Sequence, residues 1–522
     1  MATPVRIRQP APIAGLTTAT PADSLDAQQT PGCLNVRFRF GRVQQAPGRD
    51  VLSGPVTSDD VLHIGSLSLK DGTTEWPVML TESKWCRWGG LTPGTPRSWS
   101  EVTGSGLTGT GRYSVAMGED FMFVARASHN VFRWSGTALD TYTTIPDGGT
   151  FSGSGLPRAR YVEYFNDRLI LGWTTEDGAD YANRVRWAVN GDHTNWSGTG
   201  SGFLDFYEGN AEPIMGVKGL GARCAVYQPH AIVDLIPTGV AAASFSSETR
   251  VRGIGTRAPY TIASTGQAHF FLGTDANVYA WDGVKLQRIG DAILDELQGL
   301  VYPDQMHTYF GVVSTLRQEY WLVLSDGNVF VYDYAREAWS RDSFPSITAL
   351  GEVTDSLSNT TWNTATGTWD STFKSWSEMG GTSAIRLWGG RSDGATFTID
   401  ETVNYDYFAI GSIMDRYCET PDWYLPDPQT GQPDPTQTFT LQRMQLVYDH
   451  VSDEPFEVGV STDRGSTWQT QMITPTATGF CFVDWLLSGN HVRFRFREQD
   501  ALGAFRWRSY SYDFVPGGQY LG

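Results

Sequence analysis

One unit recurs seven times in this sequence, and any fold must accommodate it. Each copy is a short β-branched or aromatic run, a turn rich in Gly, Asp, Asn or Pro, and a second such run, the signature of a β-hairpin. The copies pair segments 76–80 with 84–88, 121–124 with 130–134, 168–171 with 185–187, 224–227 with 231–235, 269–272 with 278–281, 320–323 with 328–332, and 385–388 with 396–398. Their second runs end near Trp88, Trp134, Trp187, Leu235, Trp281, Tyr332 and Phe397, in steps of 46 to 65 residues. A four-stranded propeller blade needs roughly 40–50 residues, so each step holds one blade, with the hairpin as its middle or outer half. Three copies begin their second run with Asn-Val-aromatic-x-aromatic, at Asn130, Asn277 and Asn328, which marks a true repeat rather than a β-rich composition. The expectation is an all-β protein built on a β-propeller of seven blades.

A chain of 522 residues exceeds one ordinary hydrophobic core. A propeller lifts that limit because each blade packs on its neighbours. Only 289–300 reads as helix: Ile289, Ile293, Leu297 and Leu300 share one face, and Gly299 supplies a stop.

In chain order, residues 1–50 read as an extended, proline-punctuated arm that becomes a ring-closing strand, with a hairpin over Val36 to Val43. Completing the last blade with an N-terminal strand removes the open edges of the ring. Residues 51–415 form the propeller, interrupted at 355–380 by an insertion carrying Trp362, Trp369 and Trp376. The tryptophans are seven apart, but Asn363, Thr364, Thr366, Gly367 and Asp370 are poor helix formers, so a self-packed loop is expected rather than a coiled coil. Segment 416–437, with Pro426-Asp427-Pro428 and Pro433-Asp434-Pro435, has linker chemistry. Residues 438–522 read as about six strands, enough for a small C-terminal β-sandwich.

Few motifs carry chemistry. Ser461-Thr462-Asp463-Arg464-Gly465-Ser466-Thr467-Trp468 matches S-x-D-x-G-x-T-W, the Asp-box of sialidases and other propellers. In that motif Asp and Gly fix a hairpin turn, and the single copy here is expected to stabilise rather than catalyse. Gly104 to Gly109 satisfies G-x-G-x-x-G but lies between strand-like segments, where the fingerprint has no phosphate-binding meaning. The eight histidines, among them His230 and His269, never fall at metal-ligand spacing, and there is no calcium loop. No catalytic, cofactor-binding or metal-binding residue is therefore assigned, and no cofactor or enzymatic activity is expected. Clustered acids at a cleft cannot be selected from sequence.

Net charge is −18, the wrong sign for a free-standing nucleic-acid binder. Basic residues cluster locally, at Arg37, Arg39 and Arg42 and at Arg493, Arg495, Arg497, Arg506 and Arg508. Alternation from Val492 to Arg497 places three arginines on one strand face. That face is expected to meet solvent or carboxylates of a neighbouring subunit before phosphates. No apolar run reaches the ~18 residues of a membrane span, and no Sec-type signal is read at the start. Five widely separated cysteines suit buried thiols of a protein folded in a reducing cytoplasm.

The run Asn183-Arg184-Val185-Arg186-Trp187, followed by Gly191-Asp192-His193-Thr194-Asn195-Trp196, resembles segments of bacteriophage tail and neck proteins. The likeness continues through Ile214 to Val217, Leu220-Gly221, Val226-Tyr227 and His230 to Ile232. It also takes in Gly255-Thr256, Ala258-Pro259, Phe270 to Gly273 and Val278 to Gly283. Asn35-Val36, Gly41-Arg42-Val43, Pro47-Gly48, the Trp-Asp run near Trp369 and the Asp-box domain are similar to the same group, the propeller-containing tail-hub or nozzle proteins of short-tailed phages. The resemblance implies a structural virion protein of the phage tail. It would form a homo-hexameric ring that extends the DNA channel below the portal and adaptor. The implied neighbours are the adaptor, which is the head-to-tail connector, and tail fibre proteins. DNA would pass through without specific binding, and assembly would take place in the host cytoplasm. Two other readings stand beside it: a carbohydrate-active propeller enzyme, and a receptor-binding tail protein.

Overall fold

The computed structural model describes residues 5–70, 75–89, 98–104, 107, 109–136, 143–145, 157–207, 211–356, 383–401, 414–425, 433–449, 452–498 and 506–519. Seven four-stranded antiparallel sheets follow one another along the chain, at 61–102, 114–144, 159–205, 216–252, 263–288, 310–343 and 347–400, the last completed by Gly48–Ser53. The protein is an all-β, seven-bladed propeller carrying a β-sandwich. Each repeated hairpin supplies the second and third strands of its blade, as in Glu75–Thr81 with Trp85–Trp88 and Glu319–Val323 with Asn328–Asp333. A blade is flanked by two neighbours, so its middle strands are covered on both faces. Trp85–Trp88, His269–Leu272 and Glu319–Val323 are buried at every position. That double burial demands the continuous apolar runs that make these hairpins visible in sequence.

First strands of adjacent blades contact one another from blade 2 round to blade 7 and on to blade 1. Blade 7 approaches blade 1 so closely that a Cβ on Gly351 would lie 1.9 Å from the Ile64 carbonyl oxygen. The same junction holds three indoles, with Trp88 5.2 Å from Trp99 and 5.6 Å from Trp388, all edge-on. Trp99 Nε1 donates to Thr396 Oγ1 at 2.9 Å, across the seam from blade 1 to blade 7.

Ring closure uses the N-terminal segment, but not the hairpin expected over Val36 to Val43. Gly48–Ser53 pairs with Thr396–Asp400 as the fourth strand of blade 7. The hairpin, Val36–Arg39 with Arg42–Gln45, forms as expected and instead joins a sheet of the sandwich, through Arg506–Gln519. That sheet orders Phe480–Gly489, Gln437–Tyr448, Arg506–Gln519, Arg42–Gln45 and Val36–Arg39, with Val5–Pro10 on the Arg506–Gln519 strand. The facing sheet orders Gln469–Ile473, Phe456–Ser461, His491–Glu498, Arg416–Glu419 and Cys33–Leu34.

The domain limits expected from sequence change accordingly. Segment 416–437 is not a free linker in its described part: Arg416–Glu419 and Trp423–Tyr424 are strands on His491–Glu498, and Cys418, Thr420, Asp422 and Leu425 are buried. The sandwich is wider than 438–522, because it recruits 5–10, 33–45 and 416–424. The described propeller strands run from Gly48 to Asp400 rather than from 51 to 415. The Trp-rich insertion, with Trp362, Trp369 and Trp376, lies outside the described residues. The helix expected over 289–300 is a 3₁₀ turn, Asp291–Ile293, followed by Leu294–Leu300, with Ile293 and Leu297 buried. Helical geometry continues past Gly299, and the expected stop comes at Val301. All five cysteines are free thiols, and four are fully buried.

One hydrophobic core runs without a break from blades 5 and 6 into the sandwich, joining Leu272, Leu322 and Trp339 to Val36, Phe38, Phe494 and Trp507. A buried ion network pins this junction. Arg37 Nε lies 3.0 Å from Glu319 Oε1, and its NH1 and NH2 grip both oxygens of Asp342 at 2.8 and 2.6 Å. Arg39 NH2 reaches the same Glu319 oxygen at 2.9 Å. Arg37 is 5% exposed, and its two partners 1% or less. Such a group is costly to break, because removing one member strands a desolvated charge. Arg37→Ala would leave Asp342 uncompensated while Arg39 still serves Glu319. The expected loss is about 3–5 kcal/mol, read as a fall in the denaturant midpoint; a loss below ~1 kcal/mol would show that the network does not hold the domains together.

Candidate functional site

The arginine-rich strand His491–Glu498 is fastened within its own chain. The expectation from sequence is solvent or carboxylates of a neighbouring subunit; its arginines meet carboxylates of the same chain. Arg493 forms a two-pronged pair with Asp422, at 2.8 and 2.9 Å, and reaches Glu419 at 3.3 Å. Arg497 grips Asp415 in the same way, at 2.7 and 2.8 Å. Arg495 lies 4.4 Å over the Trp468 ring and 3.5 Å from Glu457. Arg42 and Arg508 share Asp449. Parallel guanidinium–carboxylate bonds fix geometry as well as charge. In this setting they staple the 414–425 segment to the sandwich.

The Asp-box lies in the turn between Phe456–Ser461 and Gln469–Ile473. Asp463 Oδ1 accepts from Ser461 Oγ at 2.7 Å and from the Thr467 amide at 2.9 Å. Arg464 and Gly465 adopt left-handed backbone, φ +60° and +83°. Hydrogen bonds from the Thr467 side chain and amide, and from Ser461, hold the Asp463 carboxyl down at about 2. A carboxylate satisfied on all sides by its own turn is a structural acceptor.

The G-x-G-x-x-G loop lies between strands Trp99–Val102 and Ser114–Gly118, not before a helix. Among its described residues Leu107 is buried. His269 and His230 are committed to local partners. His269 is fully buried; its Nδ1 accepts from the Tyr227 hydroxyl at 2.8 Å and its Nε2 donates to the Gly219 carbonyl at 2.9 Å. Burial holds His269 and His63 neutral, down at about 4. His230 pairs with Glu212. Among the described residues no three His, Cys, Asp or Glu side chains are grouped as a metal site.

The least expected feature is the central channel. Arg112, just ahead of the first strand of blade 2, reaches across it, donating from Nε to the Thr308 carbonyl at 2.8 Å and lying 3.9 Å over the Phe310 ring. Tyr260 donates to the Arg112 carbonyl at 3.0 Å. These side chains are shared by two chambers. One, of about 470 Å³, is walled by the first strands of blades 1, 2, 6 and 7 and holds His63 and Glu352. The other, of about 500 Å³, opens at one face of the propeller and is lined by Arg112, Arg126, Arg160 and Arg257 with Trp173 and Tyr260. Sequence reasoning missed this site because its residues come from strands and connections of several different blades. A faint signal exists: Arg112-Tyr113 and Arg160-Tyr161 both stand at the approach to a first strand.

No protein-family model matches the chain, and none of the curated proteins matches it. Among solved structures it is similar to one described as "Structure of U3-55K", at 9% identity and a TM-score of 0.38, covering 68% of this chain and 100% of that one. It is likewise similar to "Crystal structure of RRP9 WD40 repeats", at 10% identity and a TM-score of 0.38, covering 68% and 99%. Likeness at this level concerns the fold alone.

Two pH effects follow, both losses on acidification. His269 and His63 titrate at about 4 when folded against ~6.5 in an unfolded chain, so protons favour the unfolded state between those values. Stability is therefore expected to be complete above ~6.5 and to fall toward about 4, and His269→Gln should flatten that decline in denaturant titrations; an unchanged profile would refute a buried neutral imidazole. Asp463, at about 2 when folded against ~3.9 unfolded, contributes stability present above ~4 and lost as pH falls toward 2. Asp463→Ala should therefore be less stable than wild type at neutral pH, with the difference closing in acid, and no glycan hydrolysis should depend on this residue.

Proposed function

We propose that the chain is a structural protein of a phage tail, assembled as a ring that extends the DNA channel below the portal and adaptor. The proposal starts from the resemblance carried by residues 183–283, and one structural observation supports it over a DNA-gripping role. The two basic clusters that stand out in the sequence are largely consumed internally: Arg37 by Glu319 and Asp342, Arg493 by Asp422, and Arg497 by Asp415. Each phosphate neutralised by a free Lys or Arg strengthens DNA binding through counterion release, and six to ten such contacts change affinity by roughly a thousandfold or more across ordinary salt. Pairing these arginines at home leaves the net −18 to the surface, which repels a passing duplex and lets it slide.

Domain architecture suits the same role. A propeller and a sandwich that share one core behave as a single rigid block, which is what a load-bearing ring requires of its subunits. The homo-hexamer, the adaptor and tail fibre neighbours and the virion location belong to this proposal. Low-resolution imaging of the purified protein should show closed rings of about six copies, either alone or with an adaptor ring; a persistent single particle under both conditions would count against it. A titration with duplex DNA near physiological salt should find weak binding that Arg495→Glu leaves unchanged. Tight, steeply salt-dependent binding lost in that variant would replace the passive conduit with a gripping surface.

A further inference from the structure

We propose that the open chamber of the central channel is a binding site for a small oxyanion-bearing ligand, phosphorylated or carboxylated, about the size of a nucleotide or an acidic oligosaccharide. The first support is charge. Four arginines line the chamber, Arg112, Arg126, Arg160 and Arg257, and none of them meets a carboxylate among the described residues. Arg112 and Arg126 spend their donors on carbonyl oxygens and one tyrosine hydroxyl: Arg112 on Thr308, Arg126 on Thr110, Glu82 and Tyr113. Glu212, the carboxylate in the wall, is turned to the ring and amide of His230. In a chain whose other arginines are so widely stapled to acids, such a group is a cationic pit in an acidic molecule.

A second, independent observation points to a ligand. Arg126 is 1% exposed, yet its NH2 has no hydrogen-bond partner. A buried guanidinium nitrogen left unmatched costs free energy unless something fills the place, and Arg126 is one of the residues lining the chamber. Arg257 is exposed and has no partner among the described residues, so it is free to close over an occupant.

Third, the wall contains strained backbone. Trp173 sits at a bulge in Arg168–Glu176 with φ +54°. Bulky residues seldom adopt that conformation, and it clusters at functional sites. The bulge aims the indole at the chamber, where Arg160 stacks 3.5 Å above it and Asp180 accepts from its Nε1 at 2.9 Å. The result is a guanidinium held against an aromatic plate, and stacked guanidinium groups are well suited to binding carboxylate and phosphate.

Size sets the class. About 500 Å³ falls within the 300–1,000 Å³ usual for small-molecule sites and is more than a bare phosphate fills. Arg112 and Tyr260 stand between it and the second chamber. Tyr161 and Tyr260 supply apolar area for a sugar or base, and the arginines hold its acidic group. Nothing in this argument depends on the phage-tail proposal.

The test is calorimetric titration of the full-length protein with two probes in low salt, pyrophosphate and a trigalacturonate. Saturable one-to-one binding of pyrophosphate alone identifies phosphate chemistry, and binding of trigalacturonate alone identifies an acidic glycan; either outcome supports the site. Losing the charge-assisted bonds of two guanidinium groups in Arg160→Gln/Arg257→Gln should weaken binding about tenfold or more, while Arg508→Gln, distant in the sandwich, should not. If the double variant unfolds, Arg257→Gln alone serves, because that side chain supports nothing else. Absence of saturable binding by both probes, or equal binding by wild type and variant, would overturn the proposal.

Discussion

Ring closure is the constraint on which the structure depends. A propeller whose last blade lacks its fourth strand leaves a raw sheet edge and a gap between first and last blades. Here Gly48–Ser53 fills that place against Thr396–Asp400, joining parts of the chain about 350 residues apart. The entropy of such a closure grows only slowly with loop length, so the long separation is tolerable once the intervening blades have stacked. The seam is then filled by Trp88, Trp99 and Trp388.

The same segment explains why the two domains are inseparable. Immediately before it closes the ring, the chain forms the hairpin of Val36–Arg39 with Arg42–Gln45, which belongs to the sandwich and lies on blade 6. Asn35 links three parts at once: its side chain donates to the Asp415 carbonyl and accepts from the Ser343 amide, and its own amide donates to the Arg341 carbonyl. The buried Arg37 network sits on this joint. Closing the propeller therefore places the sandwich, and a mechanical load on one domain reaches the other through continuous packing.

Charge is distributed by the same logic. Basic residues that look in sequence like a surface stripe are internal fasteners, whereas four arginines that meet no carboxylate among the described residues line the channel chamber. Burial lowers the Arg112 guanidinium to about 10, as expected for a cation that touches no carboxylate. The contrast between stapled arginines at the domain joint and unmatched ones in the channel separates structural from ligand-facing roles more sharply than residue type does.

The sequence by itself determined the repeat. Middle strands such as Cys224 to Tyr227 and Tyr320 to Val323 are buried on both faces, so they must be continuous apolar runs, and seven such hairpins at blade spacing define the ring. The Asp-box turn was legible for a related reason, since its bonds join residues within four positions of Asp463. First and fourth strands were not legible; the first strand of blade 5 is only Ala263–Ser264, too short for any pattern. Strand Arg416–Glu419 was hidden by its proline- and aspartate-rich surroundings. Which strand closes the ring, which acids answer Arg493 and Arg497, and which arginines meet in the channel were decided only by tertiary structure. Those partners are 71 to 82 residues apart in the pairs of Arg493 with Asp422 and Arg497 with Asp415, and the channel arginines are scattered along the chain from Arg112 to Arg257. Local spacing carries no information about groups that only the curvature of the ring brings together.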